Sequence, residues 1–495
     1  MATLQSIGAG QSPARLWIGG EQVEGSNGTY EVVNPATEEV VGLAPEASAD
    51  DARQAAAAAA AAFPAWSQTT ARERSLLLHR AVELLMARHP ELTPLIQAET
   101  GSVQQFAEWA VPGVAARLSR YAAGALEAVD IPFPPQPNAL GGPEPGSGGL
   151  VCANATRLPV GVVACITSYN VPMSNVAGKI GPALAMGNTV VIKPASQDPL
   201  NVIALVEVFH EAGFPPGVVN LVVGSSTECS EALVASPDVD MISFTGSTGV
   251  GTAIAEVAAK HLKRVLFELG GKGASLVFDT ADLDQAARGT ASTFAFHAGQ
   301  ICTAPTRLIA QRRVYDEVVE RLRTIAGALV VGDPTRPETV VGPVISGMHR
   351  DRVESYVHSA VDEGGTVVAG GERPDLERGY FVAPTLVADC RPGMKAVQEE
   401  IFGPVVVAMP FDDEDEGIAL ANGTDFGLYN YVWTGDTAQG LRVAKRLRSG
   451  NVGLNTAARH TEAPFGGFKR SGIGRDWGSF ALHAYSEIQA VTWLG

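Results

Sequence analysis

Three residues at separate positions carry side chains that could do chemistry: a thiol, a carboxylate and an amide. Cys302 follows the small residues Ala298 and Gly299, which would let a ligand approach; the alternative is a small buried hydrophobic residue. Glu268 precedes two glycines, and if desolvated its pKa would rise and it could act as a general base, whereas otherwise it is an ordinary solvated acid. The amide of Asn170 could donate to an oxyanion, or stabilise a turn.

An alternation of strands and helices must position these groups. Five short apolar segments predict strands at 161–167, 189–192, 219–223, 241–244 and 264–267. Segments with helical spacing lie between them. Short apolar strands separated by helices are typical of a parallel sheet covered by helices on both faces. We therefore predict an α/β fold for this region.

Small, polar and charged residues follow each of the five predicted strands. They occupy segments 168–172, 193–196, 224–226, 245–248 and 268–272. Ligands of such sheets bind at the carboxyl ends of the strands, where these segments converge. The pattern therefore predicts a binding site at this edge, with Asn170 and Glu268 beside it.

Two features of this edge suit a phosphate or a ribose. The turn Thr245-Gly246-Ser247 precedes a predicted helix, whose free N–H groups and dipole favour an anion. Its spacing is not the GxGxxG of dinucleotide-binding folds, so the alternative is a plain strand–helix connection. Lys193 ends the second strand and could reach a ribose or phosphate hydroxyl, or could simply be solvated.

Length and charge narrow the class of protein. The chain has 495 residues, which suggests about three domains. Its formal net charge is −17, whereas binders of nucleic acid and of anionic membranes depend on cationic patches, so we expect neither partner. No apolar run reaches the ~18 residues of a transmembrane helix. Residues 1–10 lack the pattern of a signal peptide.

The cysteines indicate a reducing compartment. There are five, an odd number, and no CxxC spacing occurs. Neither a disulfide framework nor a cysteine-based metal site is expected, and we predict no metal. The predicted location is cytoplasmic.

Outside the predicted sheet, the sequence predicts a helix, an irregular segment and a second α/β domain. The alanine-rich segment 50–63 predicts a helix that Pro64 ends. Segment 131–149 has six prolines and five glycines, which indicates a loop or extended arm. Strand and helix patterns return between 273 and 455 and predict a second α/β domain.

Nine motifs together carry a family resemblance. They are PVGVV at 159–163, NVP at 170–172, PALAMGN at 182–188, KPA at 193–195, FTGST at 244–248, ELGGK at 268–272, GQIC at 299–302, EIFGPV at 400–405 and PFGGFKRSG at 464–472. Through this ordered series, spanning roughly Leu16 to Leu494, the sequence resembles the NAD(P)-dependent aldehyde dehydrogenase superfamily.

The resemblance implies a fold with three parts. A Rossmann-type parallel-sheet cofactor domain would comprise 1–132 and 158–268, and an α/β catalytic domain 269–477. A β oligomerisation arm and tail would comprise 133–157 and 478–495. The strand-like tail has an edge that needs covering, so we expect a homodimer or homotetramer.

The resemblance also implies the catalytic roles. Cys302 matches the nucleophile and Glu268 the general base for deacylation. Asn170, with the backbone N–H of Cys302, matches the oxyanion hole. The implied reaction oxidises an aldehyde to a carboxylic acid with NAD(P)+, through a thiohemiacetal and a thioester on the cysteine.

Further residues match the cofactor and substrate sites. Lys193 and Glu400 match the ribose-binding groups, Gly246 and Ser247 the pyrophosphate turn, and Phe402 a residue near the nicotinamide ribose. The full cofactor set is Thr167, Tyr169, Lys193, Ser196, Gly246, Ser247, Leu269, Glu400 and Phe402. The candidate substrate residues are Val171, Phe296, Ile301, Arg459 and Phe465.

Departures from the family pattern concern the substrate tunnel. Val171 and Gly178 stand where many relatives have bulky aromatics, which implies a wider tunnel. Arg459 lies in a loop that lines the tunnel mouth in the family. It is either a solvated loop cation or an anchor for the carboxylate of a semialdehyde substrate.

The predicted cofactor is NAD or NADP. Ser196 stands where many NAD-preferring relatives carry a glutamate, which would bind the adenosine ribose and repel a 2′-phosphate. Serine removes that repulsion, and Lys193 could pair with the phosphate. Asp198 would restore some repulsion if it faced the pocket.

Two alternatives to a hydrolytic aldehyde dehydrogenase remain. One is a CoA-acylating semialdehyde dehydrogenase of the same superfamily, a branch that tends to lack the deacylating glutamate. The other is a non-catalytic protein that binds the cofactor or is structural. Glu268 argues against the first, and the combination of Cys302, Glu268 and Asn170 against the second.

Overall fold

The computed structural model describes residues 14–127, 129–138 and 148–495. The prediction for residues 1–10, and part of the proline- and glycine-rich segment, lie outside these ranges. The strands are β1 Leu16–Ile18, β2 Glu21–Val23, β3 Thr29–Val33, β4 Val40–Pro45, β5 Asp130–Pro137, β6 Leu150–Pro159, β7 Val162–Ile166, β8 Thr189–Lys193, β9 Val219–Leu221, β10 Met241–Thr245, β11 Arg264–Glu268, β12 Ala274–Val277, β13 Arg307–Gln311, β14 Thr366–Ala369, β15 Thr385–Ala388, β16 Val405–Phe411, β17 Tyr429–Trp433, β18 Asn451–Leu454, β19 Gly472–Ile473 and β20 Ser486–Leu494.

The helices cover these strands and connect them. They are α1 Ala49–Trp66, α2 Ala71–Ala87, α3 His89–Thr100, α4 Gln104–Gly124, α5 Pro172–Ala185, α6 Leu200–Glu211, α7 Glu228–Ala235, α8 Thr248–Lys260, α9 Leu283–Ala295, α10 Arg312–Ala328, α11 Gly347–Asp362, α12 Lys395–Gln398, α13 Glu414–Asn422, α14 Thr437–Arg446 and α15 Gly478–Ala484. Within the described ranges, no helix is both long enough and apolar enough to cross a bilayer.

The first sheet confirms the predicted parallel arrangement. Its order is β19-β11-β10-β7-β8-β9-β1-β2, and the five predicted strands form its parallel centre, β11-β10-β7-β8-β9. The residues of β7 and β8 are buried throughout, as expected for strands covered on both faces. The two flanking strands, β19 and β1, are antiparallel to this centre.

The second half of the chain contains a second sheet with its own helices. Its seven-stranded sheet has the order β14-β15-β16-β13-β12-β17-β18, and only β14 pairs antiparallel within it. Separate hydrophobic clusters pack on this sheet. The first sheet has its own core, which also takes in Leu482 and Tyr485 from the chain end.

A third sheet is built from the segments that the sequence assigns to the arm. β6 pairs antiparallel with β5 on one side and with β20 on the other. Every residue of β5 is exposed, and so are the last seven residues of β20. The outer edges of both strands have no partner strand within the described part of the chain.

Helix α1 shows tertiary packing overriding a local signal. The prediction that Pro64 ends this helix was wrong by two residues, because α1 continues to Trp66. A proline this close to the end of a helix removes one backbone hydrogen bond only. The buried indole of Trp66 donates to the Asn188 carbonyl at 3.0 Å, which holds the last turn against β8.

Candidate active site

One large cavity lies at the carboxyl edge of the first sheet and reaches the second sheet. Its volume is about 1780 Å³. That exceeds the roughly 300–1,000 Å³ typical of small-molecule sites, so a dinucleotide and a substrate can share it. The cavity gathers the predicted residues, with Ser196 as the exception: Thr167, Tyr169, Asn170, Val171, Lys193, Gly246, Ser247, Glu268, Leu269, Phe296, Ile301, Cys302, Glu400, Phe402, Arg459 and Phe465.

Cys302 lies in a tightly packed segment that follows α9. The preceding residues His297 and Ala298 both have left-handed backbone conformations, which are rare outside glycine. A Cβ atom at Gly271 would lie 2.0 Å from the Cys302 carbonyl oxygen. Only glycine therefore allows the segment after β11 to pass this close to Cys302. Burial raises the pKa of the Cys302 thiol to about 12, and the Arg459 guanidinium opposes that rise. The thiol therefore needs a proton acceptor to become a thiolate.

Glu268 ends β11 and is the buried carboxylate of the cavity. Its side chain is almost fully buried, and neither carboxylate oxygen has a hydrogen-bond partner within the described residues. Burial raises the pKa of Glu268 well above its ordinary value, and the nearby Asp476 adds to this rise. Lys179 and Arg475 act in the opposite direction. A carboxyl group in this setting can take up a proton near neutral pH.

Asn170 is held in one orientation by its neighbours. Its Oδ1 accepts hydrogen bonds from Ser168 Oγ at 2.9 Å and from Asn175 Nδ2 at 3.1 Å. Its Nδ2 donates to the Gln300 carbonyl at 2.9 Å, two residues before Cys302. Because the oxygen is engaged by donors, the amide nitrogen faces the cysteine segment. Its second N–H remains available to stabilise an oxyanion.

Two groups suit the hydroxyls of a ribose. The Thr167 hydroxyl is buried without a hydrogen-bond partner in the described part of the chain. Lys193 is buried at the end of β8, and burial lowers the pKa of its ammonium. A buried polar atom without a partner costs free energy, so a ligand that satisfies it is favoured.

Glu400 and Phe402 come from the second unit and line the same cavity as Thr167 and Lys193. The backbone N–H of Gly271 donates to Glu400 Oε1 at 2.8 Å, and burial raises the pKa of Glu400 to about 7. Phe402 has a left-handed backbone with a φ of 63°, and its carbonyl accepts from His349 Nε2 at 2.7 Å. Its ring meets Tyr169 edge-on, with 5.9 Å between centroids.

The predicted phosphate turn leads into α8. The Ser247 side chain caps this helix by accepting from the Val250 N–H at 3.4 Å. The other N–H groups of the first turn are oriented along the helix axis, and Gly246 and Ser247 line the cavity. An anion is favoured at such a position.

Ser196 and Asp198 do not line the cavity, unlike the other predicted cofactor residues. Gln197, between them, lines the cavity, and Ser196 Oγ donates to its Oε1 at 3.5 Å. Asp198 is fully buried, outside the residues that line the cavity. Burial, together with the nearby Glu99, raises its pKa well above the ordinary value. Asp198 therefore does not face the cavity in which a cofactor phosphate would lie.

The substrate side of the cavity is aromatic and cationic. Phe465 stacks on Trp477 with 4.9 Å between the ring centroids. Arg459 donates to Thr303 Oγ1, next to the cysteine, and its guanidinium carbon lies 5.8 Å from the Phe465 ring centre. Gly178 does not widen this side, because the Arg117 guanidinium occupies the space where a side chain would be.

Several residues at the site were not among those predicted. They are Arg117, Asn175, Lys179, Gln197, Asp476 and Trp477. Asn175 lies within the predicted first helix, whereas Asn170 precedes it, so helical spacing does not link the two residues. Arg117 comes from α4, and the sequence has no local signal that links this helix to the cavity.

The arrangement defines an oxidoreductase site that acts on a carbonyl group. A thiol, a buried carboxylate and an oriented amide share one cavity with groups that fit a nicotinamide dinucleotide: an unpartnered hydroxyl, a lysine, a helix N-terminus and a second carboxylate. In the same described ranges, no cluster of three or more histidine, cysteine or acidic side chains could hold a metal ion.

Comparisons with known proteins identify the family. The model of the aldehyde dehydrogenase family matches residues 22–491. A 3-succinoylsemialdehyde-pyridine dehydrogenase of a Pseudomonas species is 39% identical, over 93% of this chain and 94% of the relative. A betaine aldehyde dehydrogenase of Bacillus subtilis is 36% identical, over 96% of both chains. The chain therefore belongs to the aldehyde dehydrogenase family.

Solved structures agree with this assignment. The NAD+ complex of an aldehyde dehydrogenase from Bacillus cereus superposes with a TM-score of 0.94 at 36% identity, covering 100% of this chain and 99% of that one. The predicted fold class and the predicted enzyme class, an NAD(P)-dependent aldehyde dehydrogenase, are confirmed. The CoA-acylating and non-catalytic alternatives are not favoured.

Proposed function

We propose that the enzyme oxidises an aldehyde to a carboxylic acid through a covalent intermediate on Cys302. The Cys302 sulfur attacks the carbonyl carbon, and its proton passes to a base in the cavity. Asn170 Nδ2 and the Cys302 N–H donate to the oxyanion that forms. When bound, the oxidised nicotinamide supplies the hydride acceptor of the reaction. Loss of hydride from the thiohemiacetal leaves a thioester on Cys302.

Hydrolysis of the thioester is assigned to Glu268. Its carboxylate accepts a proton from water, the resulting hydroxide attacks the thioester carbonyl, and the Cys302 sulfur leaves. The unpartnered oxygens of Glu268 are free to bind that water. Asn170, held by Ser168 and Asn175, again stabilises the oxyanion.

One observation carries this proposal: thiol, unpartnered carboxylate and oriented amide all line the same cavity. The two relatives described above are named for different aldehydes, so a panel is the appropriate substrate test. NADH formation would be followed with a mixed panel of aldehydes, with and without CoA. We expect turnover without CoA and a free carboxylic acid as product. Strict dependence on CoA would contradict the hydrolytic mechanism.

We assign the cofactor to the edge of the first unit, with Glu400 and Phe402 contributed by the second unit. Lys193 and Glu400 would hold the two riboses, Gly246 and Ser247 the pyrophosphate, and Phe402 the nicotinamide side. The remaining proposed contacts are Thr167, Tyr169, Ser196 and Leu269. The proposed domains are 1–132 with 158–268 for the cofactor, 269–477 for catalysis, and 133–157 with 478–495 for the arm. The separate cores of the two large sheets support the division between the cofactor and catalytic parts, whereas Leu482 and Tyr485 of the tail pack into the first core.

We expect the enzyme to use both NAD and NADP, because position 196 carries no acidic side chain. Ser196→Glu should lower the ratio of kcat/KM for NADP over NAD by about tenfold, because a carboxylate there would repel the 2′-phosphate. The matched control is Gln197→Glu, which introduces the same charge one residue further along, where the side chain lines the cavity. If only the Gln197 variant changes the ratio, position 197 and not 196 faces the phosphate.

A homodimer or homotetramer in the cytoplasm is the proposed assembly and location. The five cysteines are all free, which supports a reducing compartment. The exposed strands β5 and β20 offer edges that a second copy can cover. Because Leu482 and Tyr485 belong to the first core, a deletion that tests the role of the tail should begin at Ser486.

Deleting residues 486–495 should therefore reduce the assembly to a smaller species. The core stays intact, while the edge offered by β20 is lost. Light scattering measures the mass, and the melting temperature checks that the deleted chain is folded. A folded deletion variant with the native mass would contradict a role for the tail in assembly.

A further inference from the structure

The Cys302 thiol lies in surroundings that oppose its ionisation. Burial raises its pKa to about 12, and the carboxylates of Glu400 and Glu268 act in the same direction. Reactive cysteines usually owe their thiolate to the first turn of a helix or to a cation beside the sulfur. Cys302 lies between α9 and β13 and not at the start of a helix. A cation nearby would therefore favour the ionised form.

The Arg459 guanidinium is held next to this cysteine by the residue that follows it. Arg459 Nη2 donates to Thr303 Oγ1, so the guanidinium is fixed one residue away from Cys302 along the chain. The Tyr431 hydroxyl donates to the Thr303 carbonyl at 2.9 Å. The segment at Cys302 is therefore held through both a side chain and the backbone, and Arg459, Cys302 and Thr303 all line the cavity.

Two buried rings fix the same guanidinium without neutralising its charge. Its central carbon lies 5.7 Å from the Tyr429 ring centre and 5.8 Å from the Phe465 ring centre. Contact with aromatic faces orients a guanidinium and leaves it fully charged. Within the described ranges, no carboxylate oxygen lies within 4.0 Å of the Arg459 nitrogens. The charge of Arg459 is therefore available to act on Cys302.

We infer that Arg459 is a positioning residue for the nucleophile: its guanidinium holds Thr303 and favours the thiolate form of Cys302 before any ligand binds. This role rests on the proposed function, in which the Cys302 sulfur attacks the aldehyde, and adds a residue to it. The direction agrees with the electrostatics, because Arg459 opposes the rise in the pKa of the thiol. The role concerns the thiol and not the substrate, so it applies whichever aldehyde is bound.

The size of the effect is limited by solvent. Arg459 is an exposed residue at the cavity, so water and salt screen its attraction for the thiolate. We therefore expect that removing the charge lowers the thiolate fraction about threefold to tenfold, which corresponds to a rise of about 0.5 to 1 in the pKa of Cys302. Raising the ionic strength should weaken the attraction in the same direction, because the effect is electrostatic.

The test measures the reactivity of Cys302 without substrate or cofactor. Iodoacetamide is neutral, so Arg459 does not attract it; the thiolate sulfur bonds to its carbon and iodide leaves. Labelling of Cys302 would be followed from about pH 7 to about pH 10. A Cys152→Ala background removes the other partly exposed cysteine. Arg459→Met should lower the labelling rate about threefold to tenfold at each pH below the pKa of the thiol.

Further variants separate charge from packing. Arg459→Lys keeps the charge and should keep most of the native rate. Arg448→Met is the matched control, because Arg448 also lies over a ring, 5.9 Å from the centre of Phe468, but does not line the cavity. It should be labelled at the native rate. High salt should slow labelling of the native protein and leave Arg459→Met unaffected. Melting temperatures check folding, and Arg459→Gln replaces the methionine variant if that one does not fold.

The outcomes also distinguish this role of Arg459 from the proposed function. A native labelling rate and pH dependence in folded Arg459→Met would overturn the role. Equal losses in Arg459→Lys and Arg459→Met would overturn it too, because the residue would then act through packing and not through its charge. Either result leaves the proposed function intact, since labelling needs neither aldehyde nor cofactor. Native-level turnover in Cys302→Ala would instead overturn the proposed function.

Discussion

Cys302→Ala is expected to abolish aldehyde oxidation, with a loss of at least about a thousandfold in kcat. Alanine cannot form the thiohemiacetal, and no other thiol is placed to replace it. Cys165 and Cys229 are buried in the first core, and Cys390 is buried in the second unit. Formation of NADH measures the activity, and NADH fluorescence should show that cofactor affinity is retained.

Cys152→Ala is the matched control for this variant. Cys152 lies on β6 of the three-stranded sheet, paired opposite Trp493 of β20, and is not among the residues lining the cavity. Its removal should leave kcat and KM at native values. Retained turnover in Cys302→Ala, or an equal loss in both variants, would contradict the assignment of Cys302 as the nucleophile.

Glu268→Gln should separate the two halves of the reaction. The neutral amide cannot accept a proton from water, so the thioester forms but hydrolyses slowly. Rapid mixing with aldehyde and NAD should give a burst of about one NADH per active site, followed by slow turnover. If the variant shows no burst and only a raised KM for the aldehyde, Glu268 serves binding and not hydrolysis.

The pH dependence of hydrolysis gives an independent check on Glu268. Burial raises the pKa of this carboxyl above its usual range, and only the ionised form accepts a proton. Hydrolysis should therefore slow as the pH falls through that raised pKa, at a higher pH than for an exposed carboxyl. This loss of rate at low pH should be absent in Glu268→Gln, because hydrolysis in that variant no longer depends on this carboxyl group. Glu256 is an exposed acid of the same cavity, and Glu256→Gln should show steady turnover without a burst and the same loss of rate at low pH as the native enzyme.

The local sequence pattern was sufficient to predict the strands and helices of the first sheet and the edge of that sheet where the site lies. Alternating apolar strands and helices between Gly161 and Glu268 predicted the parallel sheet, because a strand buried on both faces has to be apolar throughout. Polar residues after each strand predicted the binding edge, because parallel strands end together. The motifs around Cys302 and Glu400 then indicated the second wall through the family resemblance.

Contacts between distant segments needed the tertiary structure. Trp66 extends α1 past Pro64 because its indole reaches the Asn188 carbonyl, 122 residues away. Tyr485 belongs to the core and not to the arm alone, because its hydroxyl bonds to Ser243 at 2.7 Å. Local propensities describe only the free energy of the segment itself, and these contacts outweigh it.

The charge of the substrate wall shows the same division most clearly. The family resemblance of the sequence predicted that Arg459 lies at the tunnel mouth and that Gly178 lacks the bulk seen in relatives. Only the tertiary structure shows that Arg117, from another helix, fills the space at Gly178, where the carboxylate of Asp476 also lies. Whether a surface arginine is neutralised depends on which carboxylates the fold brings within about 4 Å, and that distance is set by packing between helices far apart in sequence.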